Sequence, residues 1–253
     1  MKHSIDLNAD AGEYLQLIRN GQQEAIILQM SSVNVACGGH SGDASTMSIT
    51  MQQAMRSGVA IGAHPSYPDP ANFGRVDINL TGVALVGSIH QQIVALDNVA
   101  RSLGVRLAHV KPHGALYNAA ARRTDVAKCI AEAMKFFNRG IPVMALAGTA
   151  MVDTLEAEGI PTIAEGFADR AYAPDGMLIP RTVPGAVITD PEKAAAQALG
   201  MARMGRVQSI CIHSDTPGAL NMAIAVRRRL EDYGFAITAP GAFGGTQSRL
   251  GRI

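Results

Sequence analysis

Side chains that bind metals, move protons or hold anions cluster in this sequence directly after short apolar runs. They fall within residues 6–10, 37–43, 64–66, 109–114, 165–170 and 213–216. Five of the seven histidines belong to these segments, whereas His3 and His90 are predicted to be ordinary surface or packing residues. Histidines that recur after separate apolar runs indicate one shared site, because a cluster of titratable groups is what catalysis or metal binding needs.

Two kinds of chemistry fit these residue types. A carboxylate with two imidazoles suits zinc or a similar divalent metal. Equally, histidine and aspartate can act as general base and acid while Lys111 and Arg170 hold an anionic substrate or a phosphate. The spacing within each segment does not decide between them, because the groups would come from different strands. Cys37 with His40 is a further candidate as a thiolate nucleophile, although a buried strand cysteine is the more common interpretation.

The apolar runs themselves predict buried parallel strands, since they are nearly continuous rather than alternating. The predicted strands are residues 4–7, 32–36, 59–63, 106–110, 142–146, 161–164 and 208–212, with 235–238 as a candidate last strand. Helical patterns separate them, and glycines such as Gly58 and Gly205 stand where these helices end. Asp190 before Pro191 predicts a capped helix start. This alternation is typical of a β/α barrel or a doubly wound sheet, and in a barrel the strand ends meet at one rim.

The properties of the whole chain exclude several classes of protein. Its 253 residues carry a net charge of +1, which argues against a nucleic-acid surface, and no apolar segment is long enough to span a membrane. Three scattered cysteines and the lack of a signal segment predict a cytoplasmic protein. Walker, nucleophile-elbow and dinucleotide motifs are missing. With no linker-like stretch, we predict a single domain over residues 1–253, in which the long connections 65–82 and 166–189 are functional.

Six longer motifs allow a more specific interpretation. They are DLNADAGE, SVNVACGGHSGD, IGAHPSYPD, HVKPHGALYN, EGFADRAYAPDGMLIPR and IHSDTP, which run in this order from Asp6 to Pro217. Together they resemble the LamB/YcsF family. There are two mild departures. Ser41 follows His40 where the family more often has alanine, and the segment from Phe73 lacks the usual second arginine, which weakens a role for an arginine pair in that loop.

The resemblance implies an irregular β/α barrel of about seven strands, similar to the glycoside hydrolase/deacetylase superfamily. It implies the role of the A subunit in a bacterial ATP-dependent 5-oxoprolinase, which converts 5-oxo-L-proline to L-glutamate with ATP and Mg²⁺. It also implies two partners, subunits B and C. The lactam amide is a poor electrophile, and phosphorylation of its oxygen would allow water to attack the ring.

The rim segments and the resemblance together define a candidate site. The predicted catalytic residues are Asp10, Lys111 and His113. The predicted substrate-binding residues are Asn8, His40, His64, Glu165, Arg170, His213 and Asp215. In the related deacetylases an aspartate of the first strand and histidines hold a metal. Whether a metal binds here is left open, with Asp10, His40 and His64 as its candidate ligands.

Two other functions stay open on the sequence alone. A metal-dependent deacetylase or hydrolase of a carbohydrate or amide would need a stoichiometric metal. A non-catalytic regulatory subunit would use the same rim as a partner surface. Tyr67, Phe73 and Tyr117 suit either an apolar wall for a small ligand or simple packing, and Asp43 and Asp215 equally suit helix caps.

Overall fold

A computed structural model describes residues 3–239, which contain eight parallel strands in one sheet. The strands are β1 (Ser4–Ala11), β2 (Ser32–Ala36), β3 (Ala60–His64), β4 (His109–Val110), β5 (Val143–Leu146), β6 (Thr162–Phe167), β7 (Ser209–Cys211) and β8 (Ala236–Ile237). Strand β1 pairs with both β2 and β7, so seven strands close into a barrel, while β8 pairs with the first residues of β1. This closure confirms the predicted barrel and excludes the doubly wound sheet, which would keep open edges.

Every predicted strand is present, although only the last two residues of the predicted strand 106–110 form β4. Strand β3 continues one residue past its predicted end, to His64, and two strands continue by three or four residues. Strand β1 runs past residue 7 to Ala11, and β6 runs past residue 164 to Phe167. Both extensions contain polar residues, so the apolar run ends before the strand does. As a result Asp10 and Glu165 are held on strands rather than on loops. The predicted single domain, residues 1–253, extends beyond the described residues at both ends.

Helices surround the barrel and cover the outward faces of its strands. They are α1 (Leu15–Arg19), α2 (Gln22–Ile27), α3 (Ala44–Arg56), α4 (Gly82–Ser102), α5 (Gly114–Arg122), α6 (Thr124–Phe137), α7 (Ala150–Ala157), α8 (Pro191–Met204) and α9 (Ala219–Asp232). Strand side chains such as Ile5, Leu7 and Val33 are buried in this apolar layer. Among residues 3–239, none of the helices is both long and apolar enough to cross a membrane.

Helix boundaries follow the predicted signals. At the start of α8 the Asp190 side chain accepts backbone hydrogen bonds, and Pro191 occupies the first turn. Gly205 ends the same helix with φ of 67°, a left-handed conformation that a residue with a Cβ adopts only at a cost. Asp43 and Thr46 form reciprocal hydrogen bonds at the start of α3. Asp43 is therefore a helix cap.

The two long connections both lie after strand ends. Residues 65–81 join β3 to α4 and contain only a short 3-10 turn, at Pro70–Asn72. Residues 168–190 join β6 to α8 and fold back on themselves through antiparallel bridges between Arg170 and Val187 and between Tyr172 and Leu178. These two connections supply the mouth of the site described below.

The barrel interior is polar, although the apolar runs give no hint of this. Most barrels of this type are filled by valine, isoleucine and leucine. Here Asn8 Nδ2 donates to Glu165 Oε1 at 2.8 Å, and Asn34 Nδ2 donates to Asn8 Oδ1 at 2.7 Å. His109 Nε2 donates to Asn34 Oδ1 at 2.7 Å. Since strand side chains alternate, the apolar ones face the helices and these polar ones satisfy one another inside.

Candidate active site

A cavity of about 620 Å³ opens at the carboxyl ends of the strands. This volume lies within the usual range for small-molecule sites. The charged and aromatic residues that line it include Asp10, Glu13, His64, Arg75, Lys111, His113, Phe167, Arg170, Arg181 and His213. They come from the ends of five strands and from both long connections, so the charged side chains of the barrel rim converge on one cavity.

Lys111 lies at the floor of the cavity, and its side chain is 2% exposed. Its Nζ lies 3.2 Å from Asp10 Oδ1, 3.0 Å from Glu165 Oε1 and 3.1 Å from Asn8 Oδ1. It also donates to Cys211 Sγ at 2.9 Å. Burial lowers the pKa of Lys111, but Asp10 and the other acceptors outweigh it and hold the pKa well above its usual value. Lys111 is therefore a fixed buried cation whose protons are engaged by the protein.

Asp10 is the carboxylate between this cation and the histidines. Its Oδ1 accepts from Asn34 Nδ2 at 2.9 Å and from Lys111, while its Oδ2 lies 3.4 Å from His64 Nε2. Burial raises the pKa of Asp10, but the charges of His64 and Lys111 outweigh it and hold the pKa well below the usual range. Asp10 is thus an ionised base at the cavity floor, as proton transfer requires.

Three histidines and Glu13 form a compact cluster next to Asp10. His64 Nε2 and His113 Nδ1 are 3.0 Å apart, and the His40 ring stacks on His113 with centroids 3.7 Å apart. His40 Nε2 lies 2.9 Å from Glu13 Oε1. Burial lowers the pKa of His40 to about 4 and also lowers the pKa of His113. Burial has the same effect on His64, but Asp10 and Glu13 outweigh it and raise its pKa.

Another imidazole faces the cavity just after β7. His213 Nδ1 donates to Asp169 Oδ1 at 2.9 Å, and Thr216 Oγ1 donates to Asp169 Oδ2 at 2.6 Å. Burial raises the pKa of Asp169, but His213 and the Thr216 hydroxyl outweigh it and lower the pKa. The Phe167 ring stacks on the His213 ring at 5.3 Å. With Nδ1 held by a carboxylate, His213 presents Nε2 as an oriented proton acceptor.

Arginines from the two long connections meet at the mouth. Arg75 Nη2 lies 2.5 Å from Asp215 Oδ2, and Arg181 Nη1 lies 3.3 Å from Asp215 Oδ1. The first long connection lacks the second arginine that is usual in the family, and Arg181 of the second long connection completes an arginine pair around Asp215. Arg170 donates to the Ile179 carbonyl at 2.6 Å and so holds the second loop. Burial, followed by the nearby charge of Arg181, lowers the pKa of Arg170 to about 10, which leaves it charged at neutral pH.

The structure brings most of the predicted site residues to this cavity. Those that line it are Asp10, His64, Lys111, His113, Arg170 and His213. His40 lies behind Glu13, and Asp215 lies at the mouth. Asn8 and Glu165 lie deeper, where Glu165 Oε2 also accepts from Tyr117 Oη at 2.8 Å. Asn8 and Glu165 therefore hold Lys111 at the cavity floor through hydrogen bonds rather than lining the cavity.

The thiolate alternative has no support in the geometry. Cys37 is buried, and burial raises its pKa to about 12, so it is a neutral thiol at physiological pH. Of the aromatic candidates, Tyr67 is fully buried, whereas Tyr117 lines the cavity. Phe73 stacks on Tyr14 at 5.1 Å.

Four of the charged residues that sequence reasoning missed make the contacts described above: Glu13, Arg75, Asp169 and Arg181. Glu13 and Arg181 are the last residues of the motifs DLNADAGE and EGFADRAYAPDGMLIPR, and Asp169 lies inside the second of these. Arg75 lies in the first long connection. The motifs were a usable signal for Glu13, Asp169 and Arg181, which fall inside them, whereas Arg75 lies six residues beyond the motif IGAHPSYPD. Strand periodicity could not place them, since all four lie on loops.

The candidate metal ligands are only partly assembled. Asp10 and His64 are adjacent, but His40 Nε2 faces Glu13. The donor atoms that lie within 4.8 Å of one another belong to Glu13, His40, His64 and His113. Asp10 groups instead with Cys211 and His213. The histidine cluster therefore has the donors that zinc or a related metal prefers, with Glu13 in the place predicted for Asp10.

The sequence of this chain is similar to one protein family over nearly its whole length. The chain matches the model of the LamB/YcsF family over residues 5–243. It is 44% identical over 247 residues to the A subunit of 5-oxoprolinase from Heliobacterium modesticaldum, covering 93% of this chain and 97% of that protein. It is also 44% identical over 251 residues to the A subunit of 5-oxoprolinase from Bordetella parapertussis, covering 94% and 100%.

Two solved structures resemble this chain to different degrees. The lactam utilization protein of Thermus thermophilus superposes with a TM-score of 0.84 at 38% identity, covering 93% of this chain and 99% of that one. The catalytic domain of a peptidoglycan N-acetylglucosamine deacetylase from Eubacterium rectale has a TM-score of 0.53 at 10% identity, covering 94% and 89%, and shares the fold alone. On the family match and the full-length identity, this chain belongs to the LamB/YcsF family.

Proposed function

We propose that this chain is the A subunit of a cytoplasmic, ATP-dependent 5-oxoprolinase that works with subunits B and C. In this proposal 5-oxo-L-proline, ATP and water give L-glutamate, ADP and phosphate. The observation that carries it is a single cavity in which two arginines at the mouth face ionised proton-transfer groups at the floor. The relatives that are named as A subunits of 5-oxoprolinase support the choice of substrate.

The arginines at the mouth suit the carboxylate of the substrate. Arg75 and Arg181 already share the carboxylate of Asp215, which holds both guanidinium groups in place. A guanidinium group donates two parallel N–H groups to a carboxylate, which fixes the orientation of a small acid. Arg170 adds positive charge nearby while its own donors hold loop carbonyls. In this proposal Arg170 therefore organises the binding loop.

The cyclic amide needs activation, because amide resonance makes its carbon a poor electrophile. In this proposal the phosphoryl group of ATP is transferred to the amide oxygen, with Mg²⁺ as the counterion, and makes the ring carbon electrophilic. Water adds to that carbon, the ring C–N bond breaks as the nitrogen takes up a proton, and hydrolysis of the resulting acyl phosphate releases L-glutamate and phosphate. In this proposal His213 Nε2 accepts a proton from the attacking water while Asp169 holds the opposite side of the ring. Asp10 is the second ionised base, and Lys111 positions it. The engaged protons of Lys111 favour this positioning role over the expected direct contact with phosphate.

The test is to assay the purified chain alone and with its two partner subunits for 5-oxoproline-dependent phosphate release and glutamate formation. We expect turnover by the three-subunit complex. We also expect His213→Gln to lower it by about 10²- to 10⁴-fold, as for other general bases. His90→Gln, which changes a histidine on the outer helix α4, is the matched control and should keep turnover. Wild-type turnover by the His213 variant, or a complex that forms no glutamate, would overturn the proposal.

A metal-dependent amide hydrolase is the second candidate, and the convergence of Glu13, His64 and His113 favours it. It predicts substrate hydrolysis that needs a metal and does not consume ATP. The same assay separates the two candidates, because only the first couples glutamate formation to phosphate release. A non-catalytic subunit would leave the turnover of the complex unchanged in every cavity variant.

A further inference from the structure

The hydrogen bonds of His64 and His113 fix which ring nitrogens carry hydrogen. His64 Nδ1 lies 2.7 Å from the Lys111 carbonyl oxygen, and His113 Nε2 lies 3.0 Å from the Phe73 carbonyl oxygen. A backbone carbonyl only accepts, so each of these nitrogens must be the N–H donor. When both rings are neutral, as metal ligands are, the remaining nitrogens His64 Nε2 and His113 Nδ1 carry the lone pairs.

These two lone-pair nitrogens point at each other across 3.0 Å. Two acceptors at this distance repel unless a cation lies between or beside them. Glu13 Oε1 is the third atom of the group, 3.3 Å from His113 Nδ1 and 3.7 Å from His64 Nε2. Three atoms with lone pairs therefore lie within 3.7 Å of one another. Either a shared proton or a metal ion between them would remove their mutual repulsion.

The dimensions of the triangle favour a metal. A tetrahedral zinc ion with bonds of about 2.0 to 2.1 Å places its ligand atoms about 3.3 Å from one another. The three observed separations of 3.0, 3.3 and 3.7 Å bracket that value. Histidine ligands of metals also typically donate their other N–H to a backbone carbonyl or carboxylate, as both of these rings do.

We propose that Glu13, His64 and His113 bind one divalent transition-metal ion, with zinc as the best match. All three line the cavity together with Asp10, so an ion held by them would be accessible from the substrate space. Three protein ligands with one open position are the pattern of catalytic rather than structural zinc. The proposal rests on the donor atoms alone and holds whether or not the chain belongs to a 5-oxoprolinase.

His40 is better placed to support the site than to bind the ion. Its Nε2 donates to Glu13 Oε1 at 2.9 Å, and it is absent from the residues that line the cavity. If Nε2 bound the metal instead, the proton would move to Nδ1, which is buried with no hydrogen-bond partner in the described part of the chain. The nearby Lys111 cation does not oppose the ion strongly, because Asp10 and Glu165 already compensate it.

The test measures metal binding directly. The chain is stripped with a chelator and titrated with Co²⁺, whose visible absorption reports nitrogen and oxygen ligands, and bound Zn²⁺ is then counted by elemental analysis. We expect one equivalent of metal per chain. His113→Phe keeps a ring stacked on His40 but removes the donor, and Glu13→Gln keeps the acceptor of the His40 hydrogen bond but removes the charge. Each should weaken affinity by about 100-fold or more.

Cys211→Ser is the matched control, because Cys211 belongs to the other group of potential donors, with Asp10 and His213. It should leave the Co²⁺ spectrum and the stoichiometry unchanged. Thermal unfolding of each variant separates a lost ligand from a lost fold. A wild-type chain that takes up neither Co²⁺ nor Zn²⁺ would overturn the proposal and assign the cluster to a shared proton. Retained affinity in both ligand variants, or loss in Cys211→Ser, would overturn it as well.

Discussion

Asp6 and Asp10 lie on the same inward face of β1, and both are buried, yet their environments differ. Asp6 accepts hydrogen bonds from the hydroxyls of Ser31 at 2.7 Å and Ser32 at 2.9 Å, and also from Ser209. Burial raises the pKa of Asp6 to about 6 despite these bonds. Asp10 faces His64 and Lys111, whose charges hold its pKa well below the usual range.

This difference separates a structural end of the barrel from a chemical end. Hydrogen bonds from neutral hydroxyls lower the pKa of a buried carboxylate by less than burial raises it, so the pKa of Asp6 stays above its usual value. The positive charges of His64 and Lys111 offset the cost of burying the Asp10 carboxylate, so Asp10 stays ionised. Two carboxylates of one strand are thus pushed to opposite protonation behaviour by their neighbours, and such divergence is typical of functional sites. The contrast supports the proposal that proton transfer takes place at the cavity floor, without Asp6.

The largest expected effect is that of Lys111→Met, which removes the buried cation that pairs with Asp10 and Glu165. It should abolish glutamate formation by the reconstituted complex and lower the free energy of unfolding by about 3–5 kcal/mol, because two buried carboxylates lose their partner. Adding Glu165→Gln removes one of these charges and should restore part of the stability without restoring turnover. Urea unfolding and the turnover assay check both outcomes. An active double variant would show that Lys111 only balances charge.

Asp10→Asn and Asp6→Asn form a matched pair of isosteric changes on one strand face. Asp10→Asn should lower turnover by about 10²- to 10⁴-fold, since it removes an ionised base at the cavity floor. Asp6→Asn should keep turnover, because the serine hydroxyls can rotate to accept from the new amide. The measurement is kcat for both variants at equal folded concentration. Equal losses in the two variants would contradict the division of the barrel into two ends.

Arg181→Gln tests whether the mouth binds the substrate rather than taking part in its conversion. It should raise KM for 5-oxoproline by roughly 10- to 100-fold with a smaller change in kcat, because one charge-assisted hydrogen bond is worth about 1.5–3 kcal/mol. Arg203→Gln changes an arginine of α8, outside the cavity lining, and is the matched control. Initial rates over a range of 5-oxoproline concentrations give both parameters. A selective fall in kcat would move Arg181 from the mouth to the reacting groups.

The smallest expected effect is the pH dependence that Asp6 contributes to stability. Its pKa rises from 3.8 in the unfolded chain to about 6 in the folded one, so between these values only the folded state binds the proton. This contribution is full below pH 3.8 and is lost as the pH rises through 6. Wild type should therefore gain about 2 kcal/mol relative to Asp6→Asn as the pH falls from 7 to 4. Parallel stability curves for the two proteins would contradict the raised pKa.

The strands were predictable from the sequence because apolar runs and glycine positions are local signals. The capping roles of Asp190 and Gly205 were predictable for the same reason. These signals are typical of a barrel and of a doubly wound sheet alike, and the family resemblance favoured the barrel. The interior could not be inferred in this way, because neither the nearly continuous apolar runs nor the shared face of Asp6, Asn8 and Asp10 tells which face of a strand meets the helices. Nor could strand periodicity find Glu13 or Arg181, because a loop has no fixed direction for its side chains.

The sequence by itself determined the residue types at the rim, the order in which strands deliver them, and the family resemblance that those motifs carry. Only the tertiary structure decided which groups pair, because pairing depends on distances between strands far apart in the chain. It placed Lys111 between Asp10 and Glu165, turned one ring nitrogen each of His64 and His113 toward Glu13, and brought Arg75 and Arg181 to one carboxylate. Charge and burial at those distances, rather than residue identity, set the protonation of each group.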